Sequence, residues 1–118
     1  RRATRARKIL GGAMRQAGVL AAAGLYALDH HVARLADDHA NAARLAAGLA
    51  QIPGVTIDRL ATNMVFATVP GDPAAVATGL RARGVAVLPG AKLRLVTHLD
   101  VSAGQIDEAV AAFGEVVG

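Results

Sequence analysis

The sequence predicts an α/β chain: a helical N-terminal segment over residues 1–52, then a small β-β-α-β-β-α domain over residues 53–118. The second part should be a mostly antiparallel sheet covered by helices on one face. Three observations predict this. Alanine-rich stretches with helical spacing fill the first fifty residues, β-branched runs take over after Pro53-Gly54, and two helices in the second half carry full start signals.

Residues 1–10 read as a helix stopped by Gly11-Gly12, because glycine costs backbone entropy in a helix and suits a turn. A second helix begins near Ala13 and runs to about Leu28 with almost no charge, which predicts burial on most sides. An amphipathic stretch follows, with Leu28, Val32, Leu35, Ala42, Ala46 and Leu49 in one stripe and His39 filling its gap. Arg34, Asp37, Asp38, Asn41 and Arg44 line the other side, where Arg34 and Asp38 stand one turn apart. On this reading Asp37 and Asp38 belong to a solvated face and His39 packs among apolar neighbours. Proline and glycine at Gln51-Ile52-Pro53-Gly54 end the helix.

Residues 55–58 and 63–69 read as strands separated by a short polar turn. Asp72-Pro73 opens a helix, with the aspartate as N-cap and proline in the first turn, and Gly84 closes it. Residues 85–88 and 93–97 read as two further strands joined through Pro89-Gly90. Ser102 and Gln105 form a capping box for the last helix, and Val101 with Ile106 makes a hydrophobic staple around it.

Composition narrows the function classes. Of 118 residues, 53% are hydrophobic but only 3% aromatic, so the core must be aliphatic. The absence of cysteine excludes a disulfide framework and thiolate metal sites, and predicts a cytoplasmic setting. No apolar run reaches the roughly 18 residues of a membrane span. The net charge of +4 gathers in Arg1, Arg2, Arg5, Arg7, Lys8 and Arg15, whereas seven bases face nine acids from residue 16 onward. No aromatic residue interleaves the basic front, so a nucleic-acid partner is not predicted. His30, His31, His39 and His98 lack the four-residue spacing of helical metal ligands, so no metal site is predicted.

Two features point toward chemistry. Residues 11–18 form a glycine-containing turn entering a helix, with Arg15 close behind; free N–H groups there suit an anion, and so does a plain helical corner. Arg94 lies in the apolar run Leu93-Arg94-Leu95-Val96 just before the capped helix. A guanidinium buried among such apolar neighbours offers a planar fork to a carboxylate, and partial burial strengthens that bond by removing competing water. Alternation alone leaves two readings open, a carboxylate clamp and an outward-facing residue on a solvated sheet. Lys8 and Lys92 are the only lysines, one on a basic helix end and one in a turn, and neither is placed as a nucleophile.

The run Arg7-Lys8-Ile9-Leu10-Gly11-Gly12-Ala13-Met14-Arg15-Gln16-Ala17-Gly18 resembles the R-K-x-x-G-G-x-M-R-Q-A-G segment of low-specificity L-threonine aldolases. Residues 36–42 (Ala-Asp-Asp-His-Ala-Asn-Ala), Thr62-Asn63-Met64-Val65-Phe66 and residues 94–102 (R-x-V-T-H-x-D-V-S) follow in that family's order and approximate spacing. Alanine at residue 13, where a third glycine is common, is a small departure.

The resemblance implies the C-terminal part of an aspartate-aminotransferase fold. It also implies a pyridoxal-phosphate enzyme that cleaves L-threonine and L-allo-threonine to glycine and acetaldehyde. By the same resemblance Arg94 corresponds to the arginine that binds the substrate α-carboxylate. Lys8 and Arg15 correspond to basic positions near the cofactor phosphate, reaching into a neighbouring subunit's site of a homo-oligomer, a dimer or tetramer. The Schiff-base lysine, the aspartate at the pyridine nitrogen and the histidines at the β-hydroxyl are expected upstream of Arg1. No catalytic residue is therefore expected in this chain, which should be inactive alone. Two alternatives remain: another pyridoxal-phosphate lyase or transaminase of the same fold type, and a non-catalytic dimerisation or binding module using the apolar helix.

Overall fold

A computed structural model describes residues 1–118, which divide into two compact units, Arg1–Arg34 and Leu35–Gly118. The first unit holds α1 (Arg2–Ile9) and α2 (Gly18–His30). The glycine pair ends α1 as predicted, and the hydrogen bonds show how. Gly12 N–H donates to the Arg7 carbonyl at 2.8 Å and Gly11 N–H to the Lys8 carbonyl at 3.2 Å, while Gly11 adopts φ +82°. This is a Schellman closure, which satisfies carbonyls left over at a helix end.

The expected burial of the apolar helix is not met. Val19, Leu20, Leu25, Tyr26 and Leu28 of α2 are all exposed, for the only other helix in the unit is the charged α1, which offers no apolar layer. The Tyr26 ring stacks on His30 with centroids 4.1 Å apart. The amphipathic helix also starts later than its pattern: residues 31–34 form a turn, since Leu28 and Val32 stay exposed and no packing rewards continuation.

The second unit contains α3 (Leu35–Leu49), β1 (Thr56–Ala61), β2 (Met64–Thr68), α4 (Pro73–Arg81), β3 (Leu93–Val96) and α5 (Ala103–Val117). The three strands form one antiparallel sheet in the order β1-β2-β3. Val65, Leu93 and Leu95 turn to one face and enter a single core with Leu45 and Leu49 of α3, Leu80 of α4, and Ile106 and Phe113 of α5. Burying each of the larger side chains contributes about 1.5–3 kcal/mol. The α/β architecture with helices on one sheet face is therefore the predicted one. Because Leu45 and Leu49 join this core, α3 groups with the sheet rather than with the helical segment of residues 1–52. No helix is long and apolar enough to cross a membrane.

Caps hold where the sequence placed them. Asp72 accepts from Ala75 N–H at 3.0 Å, and Ser102 and Gln105 complete their reciprocal capping box. The stripe of α3 is displaced, however. Asp38 is buried together with Ala42, Leu45, Ala46 and Leu49, whereas His39 and Asp37 are exposed. The fourth strand does not form. Residues 85–88 alternate in burial as a strand would, but Val85 N–H donates to the Leu80 carbonyl that ends α4, and Pro89 has no N–H to give.

Two kinds of contact tie the elements together. Arg44 on α3 makes a bidentate pair with Asp107 on α5, its Nε and Nη2 at 2.6 and 2.7 Å, and Arg83 Nε reaches Glu115 at 2.8 Å. Both pairs lie at the surface, where salt screening keeps their contribution small. Closer in, α3 and α5 approach where Gly48 meets Val110: a Cβ on Gly48 would lie 2.6 Å from Val110 Cγ2.

The deepest polar contact is at Thr97, which is 1% exposed. Its hydroxyl donates to the Asp38 carbonyl in α3 at 2.7 Å, and its N–H donates to the Asn63 carbonyl in the β1-β2 turn at 3.0 Å. Asn63 Nδ2 returns a hydrogen bond to the Thr97 carbonyl at 2.7 Å. Nearby, Asn41 Nδ2 donates to the Val101 carbonyl at 3.0 Å.

Two stability outcomes are expected. Gly48→Ala should destabilise by about 1–3 kcal/mol through overpacking against Val110. Thr97→Val, which keeps shape but loses the hydroxyl, should cost about 1 kcal/mol, with Thr97→Ser retaining more of it. Urea denaturation checks both, and wild-type midpoints for Gly48→Ala and Thr97→Val would contradict them.

Candidate functional site

With Leu93, Leu95 and Thr97 buried, alternation turns Arg94, Val96 and His98 to the opposite side, and all three are exposed. Arg94 is thus exposed and not buried among its apolar neighbours as the run suggested, because Leu93 and Leu95 turn to the core on the other side of β3. Its guanidinium has no hydrogen-bond or ion-pair partner within the chain. Outward placement does not remove it from a site, because β3 is an edge strand beside an open groove of about 540 Å³. Arg94, Val96, His98, Leu88 and Gln105 are among its lining residues. His98 lies 3.6 Å from the Asp100 carboxylate, and its Nδ1 accepts from Asp100 N–H at 3.3 Å.

The register sets further residues beside Arg94. Phe66 of β2 is its cross-strand partner, and Arg59 of β1 is in turn the partner of Phe66. One row, Arg59-Phe66-Arg94, therefore crosses the sheet on the face away from the core. A β-bulge at Asp58 produces this arrangement: pairing steps from Ile57 opposite Ala67 to Arg59 opposite Phe66, leaving Asp58 as the extra residue. Lys92 Nζ donates to Asp58 Oδ1 at 2.8 Å and the Thr68 hydroxyl donates to Oδ2 at 2.8 Å, so both oxygens of Asp58 are engaged. Lys92 is accordingly a sheet-edge ion-pair residue.

Lys8 and Arg15 lie in the first unit. Lys8 is in the last turn of α1, where it lines an open depression with Arg1, Thr4, Arg5 and Ile9. Arg15 lies in the exposed turn leading into α2, followed by Gln16 with φ +54°. Each of these cations is exposed, and no hydrogen bond joins Lys8 to Arg15.

Three of the sequence segments singled out above meet through hydrogen bonds. Residues 36–42 supply Asp38 and Asn41, residues 62–66 supply Asn63, and residues 94–102 supply Thr97 and Val101. Sequence reasoning did not single out Arg59: the sequence pattern puts it in the polar turn after residues 55–58, whereas β1 runs on from Thr56 to Ala61 and includes it. Only the bulge, which has no distinct signal in Thr56-Ile57-Asp58-Arg59, turns it outward.

The geometry, a small antiparallel sheet with helices on one face and a free arginine on the other, is that of a partial aspartate-aminotransferase-like α/β unit. The Beta-eliminating lyase family matches residues 1–71, and the chain belongs to that family. It is 50% identical over 113 residues to the low specificity L-threonine aldolase of Escherichia coli strain K12, an overlap covering 94% of this chain and 33% of that protein. Two proteins of Arabidopsis thaliana are also similar. A probable low-specificity L-threonine aldolase 2 is 39% identical over 118 residues, 93% of this chain and 33% of its own length. A low-specificity L-threonine aldolase 1 is 34% identical over 119 residues, 94% and 33% respectively. The chain thus spans about a third of the length of the curated relatives it matches.

The doubly bonded Asp58 has a testable acid-side signature. The hydrogen bond from Lys92, then that from Thr68, holds its carboxyl below the usual carboxylate range. A carboxyl whose folded pKa is depressed contributes stability above its unfolded pKa of about 3.9, and that contribution is lost as pH falls through the folded value. Asp58→Asn should therefore flatten the acid-side fall of Tm below pH 4. An acid limb identical to wild type would contradict this.

Proposed function

We propose that the full-length protein is a pyridoxal-phosphate-dependent aldehyde-lyase that cleaves L-threonine and L-allo-threonine to glycine and acetaldehyde, and that Arg94 binds the substrate α-carboxylate. The observation that carries this reading is the unpaired Arg94 guanidinium, set on a rigid strand beside an open groove in a chain similar to threonine aldolases. A guanidinium fork bonds both carboxylate oxygens at once, which fixes the orientation of the α-carbon as well as its position. Orientation selects which bond at that carbon breaks.

The residues present suit part of the cofactor. Residues 1–28 carry six cations and no acid, a setting that favours a phosphate, and Lys8 and Arg15 are the positions we assign to it, in the site of a neighbouring subunit. Pyridoxal phosphate, when bound, supplies an electron sink for the carbon–carbon cleavage. Lys92 is paired with Asp58 and Lys8 stands on a solvated helix end, so the lysine that carries the cofactor is assigned to a part of the protein outside these 118 residues. On this reading the chain alone is inactive. The exposed apolar side chains of α2 support assembly of copies, a dimer or a tetramer, and the absence of cysteine fits a cytoplasmic protein.

The test is glycine formation from L-threonine by the full-length protein carrying Arg94→Ala or Arg94→Lys. Losing a charged, bidentate hydrogen bond costs about 2 kcal/mol or more, so kcat/KM should fall about 30-fold or more in both variants. Values within threefold of wild type in both would show that Arg94 is not the clamp.

A further inference from the structure

Arg94 stands on a short strand with a single neighbour, so whatever holds that strand decides where its guanidinium points. β3 lies at the edge of the sheet and is bonded only to β2. In an antiparallel pair the bonded positions alternate. Thr97 N–H donates to the Asn63 carbonyl, so Leu93, Leu95 and Thr97 direct their backbone groups to β2, while those of Arg94 and Val96 face the open edge. The start of β3 is tied to β1 by the solvent-facing ion pair of Lys92 with Asp58, a contact that water and salt weaken. Its end is tied by Asn63.

Three observations set Asn63 apart. First, its side chain stands in for a backbone donor. In a regular ladder the Asn63 N–H would donate to the Thr97 carbonyl; that bond does not form, and Asn63 Nδ2 donates there instead at 2.7 Å. Second, the turn that delivers this amide is strained. Thr62 and Asn63 connect the paired Ala61 and Met64, and Thr62 adopts φ +52°, a region that β-branched residues avoid. Such a conformation persists where the surroundings over-determine it, and the Thr62 hydroxyl lies 3.3 Å from Asn63 Oδ1, on the acceptor side of the amide. Third, Thr97 is buried and bonded through its hydroxyl to the Asp38 carbonyl, and it lines the same groove as Arg94.

We propose that Asn63 is a positioning residue for the carboxylate clamp: by holding the Thr97 carbonyl it fixes the end of β3, and with it the direction from which Arg94 meets the substrate α-carboxylate. The proposal rests on the reading of Arg94 as that clamp. Asn63 itself touches no substrate. A bidentate guanidinium-carboxylate contact depends on angle as well as distance, so a strand end that frays loosens it. The turn alone does not require an amide, because aspartate suits tight turns as asparagine does. The contact with Thr97 does require one, since an ionised carboxylate accepts hydrogen bonds and donates none.

The experiment measures kcat and KM for glycine formation from L-threonine by the full-length protein, with Asn63→Asp and Asn63→Ala each made in wild type and in Arg94→Ala. With Arg94 present, both variants should lower kcat/KM about tenfold, mostly through a higher KM. In the Arg94→Ala background the same changes should lower it by less than about twofold, because no clamp is left to position. Circular dichroism confirms that each variant is folded, and Asn63→Ala carries the test if Asn63→Asp is not. Equal losses in the two backgrounds would assign Asn63 to the fold alone and overturn the proposal. Values within about twofold of wild type for both variants with Arg94 present would overturn it as well. The two claims separate at Arg94. If Arg94→Ala alone stays within about threefold of wild type, the clamp reading fails and takes this proposal with it. If Arg94→Ala lowers kcat/KM while the Asn63 variants behave alike in both backgrounds, the positioning role alone fails.

Discussion

The buried Thr97 hydroxyl and backbone join three elements that sequence separation keeps apart: the first turns of α3 through Asp38, the β1-β2 turn through Asn63, and the end of β3 itself. Because side chains alternate along a strand, fixing Thr97 inward fixes every residue of β3. Leu93 and Leu95 enter the core with it, and Arg94 and His98 take the open side. A one-residue slip would bury the Arg94 guanidinium without a partner, at a cost of several kcal/mol, and expose two leucines. The position of the candidate substrate residue is thus a consequence of a polar contact on the opposite side of the strand.

The bulge at Asp58 does for β1 what Thr97 does for β3. One device sets register with a buried hydroxyl, and the other shifts register with an inserted residue held by a lysine and a threonine. Together they place Arg59, Phe66 and Arg94 in one row. Behind that row the packing is aliphatic and close, with Phe113 as the one aromatic residue in the core and Gly48 letting α3 approach Val110 of α5. A well-packed inner face holds the outer face to one geometry, which is what a site that must orient a substrate requires.

Features written in local chemistry were legible in the sequence. Asp72-Pro73, the Ser102-Gln105 box and Gly11-Gly12 each act through neighbours a few residues away, and each stands where the pattern put it. Features that depend on distant partners were not. Asp38 reads as solvated on a helical wheel because its burial comes from the β3 end, 59 residues on. Residues 85–88 have the composition of a strand, but the closing turn of α4 takes the Val85 N–H. Arg94 was legible as a candidate through its neighbours and its family resemblance, whereas Arg59 fell among residues that read as a polar turn, because the bulge in β1 breaks the strand's alternation.

The claim that Asn63 and Thr97 act as one unit is most directly tested by a double-mutant cycle of Asn63→Ala and Thr97→Val, measured by urea denaturation. Residues sharing a buried network couple by about 0.5–3 kcal/mol, and the account predicts a coupling in that range. Costs that add to within about 0.3 kcal/mol would contradict it, because the β1-β2 turn and the end of β3 would then be held independently and the orientation of Arg94 would have another cause.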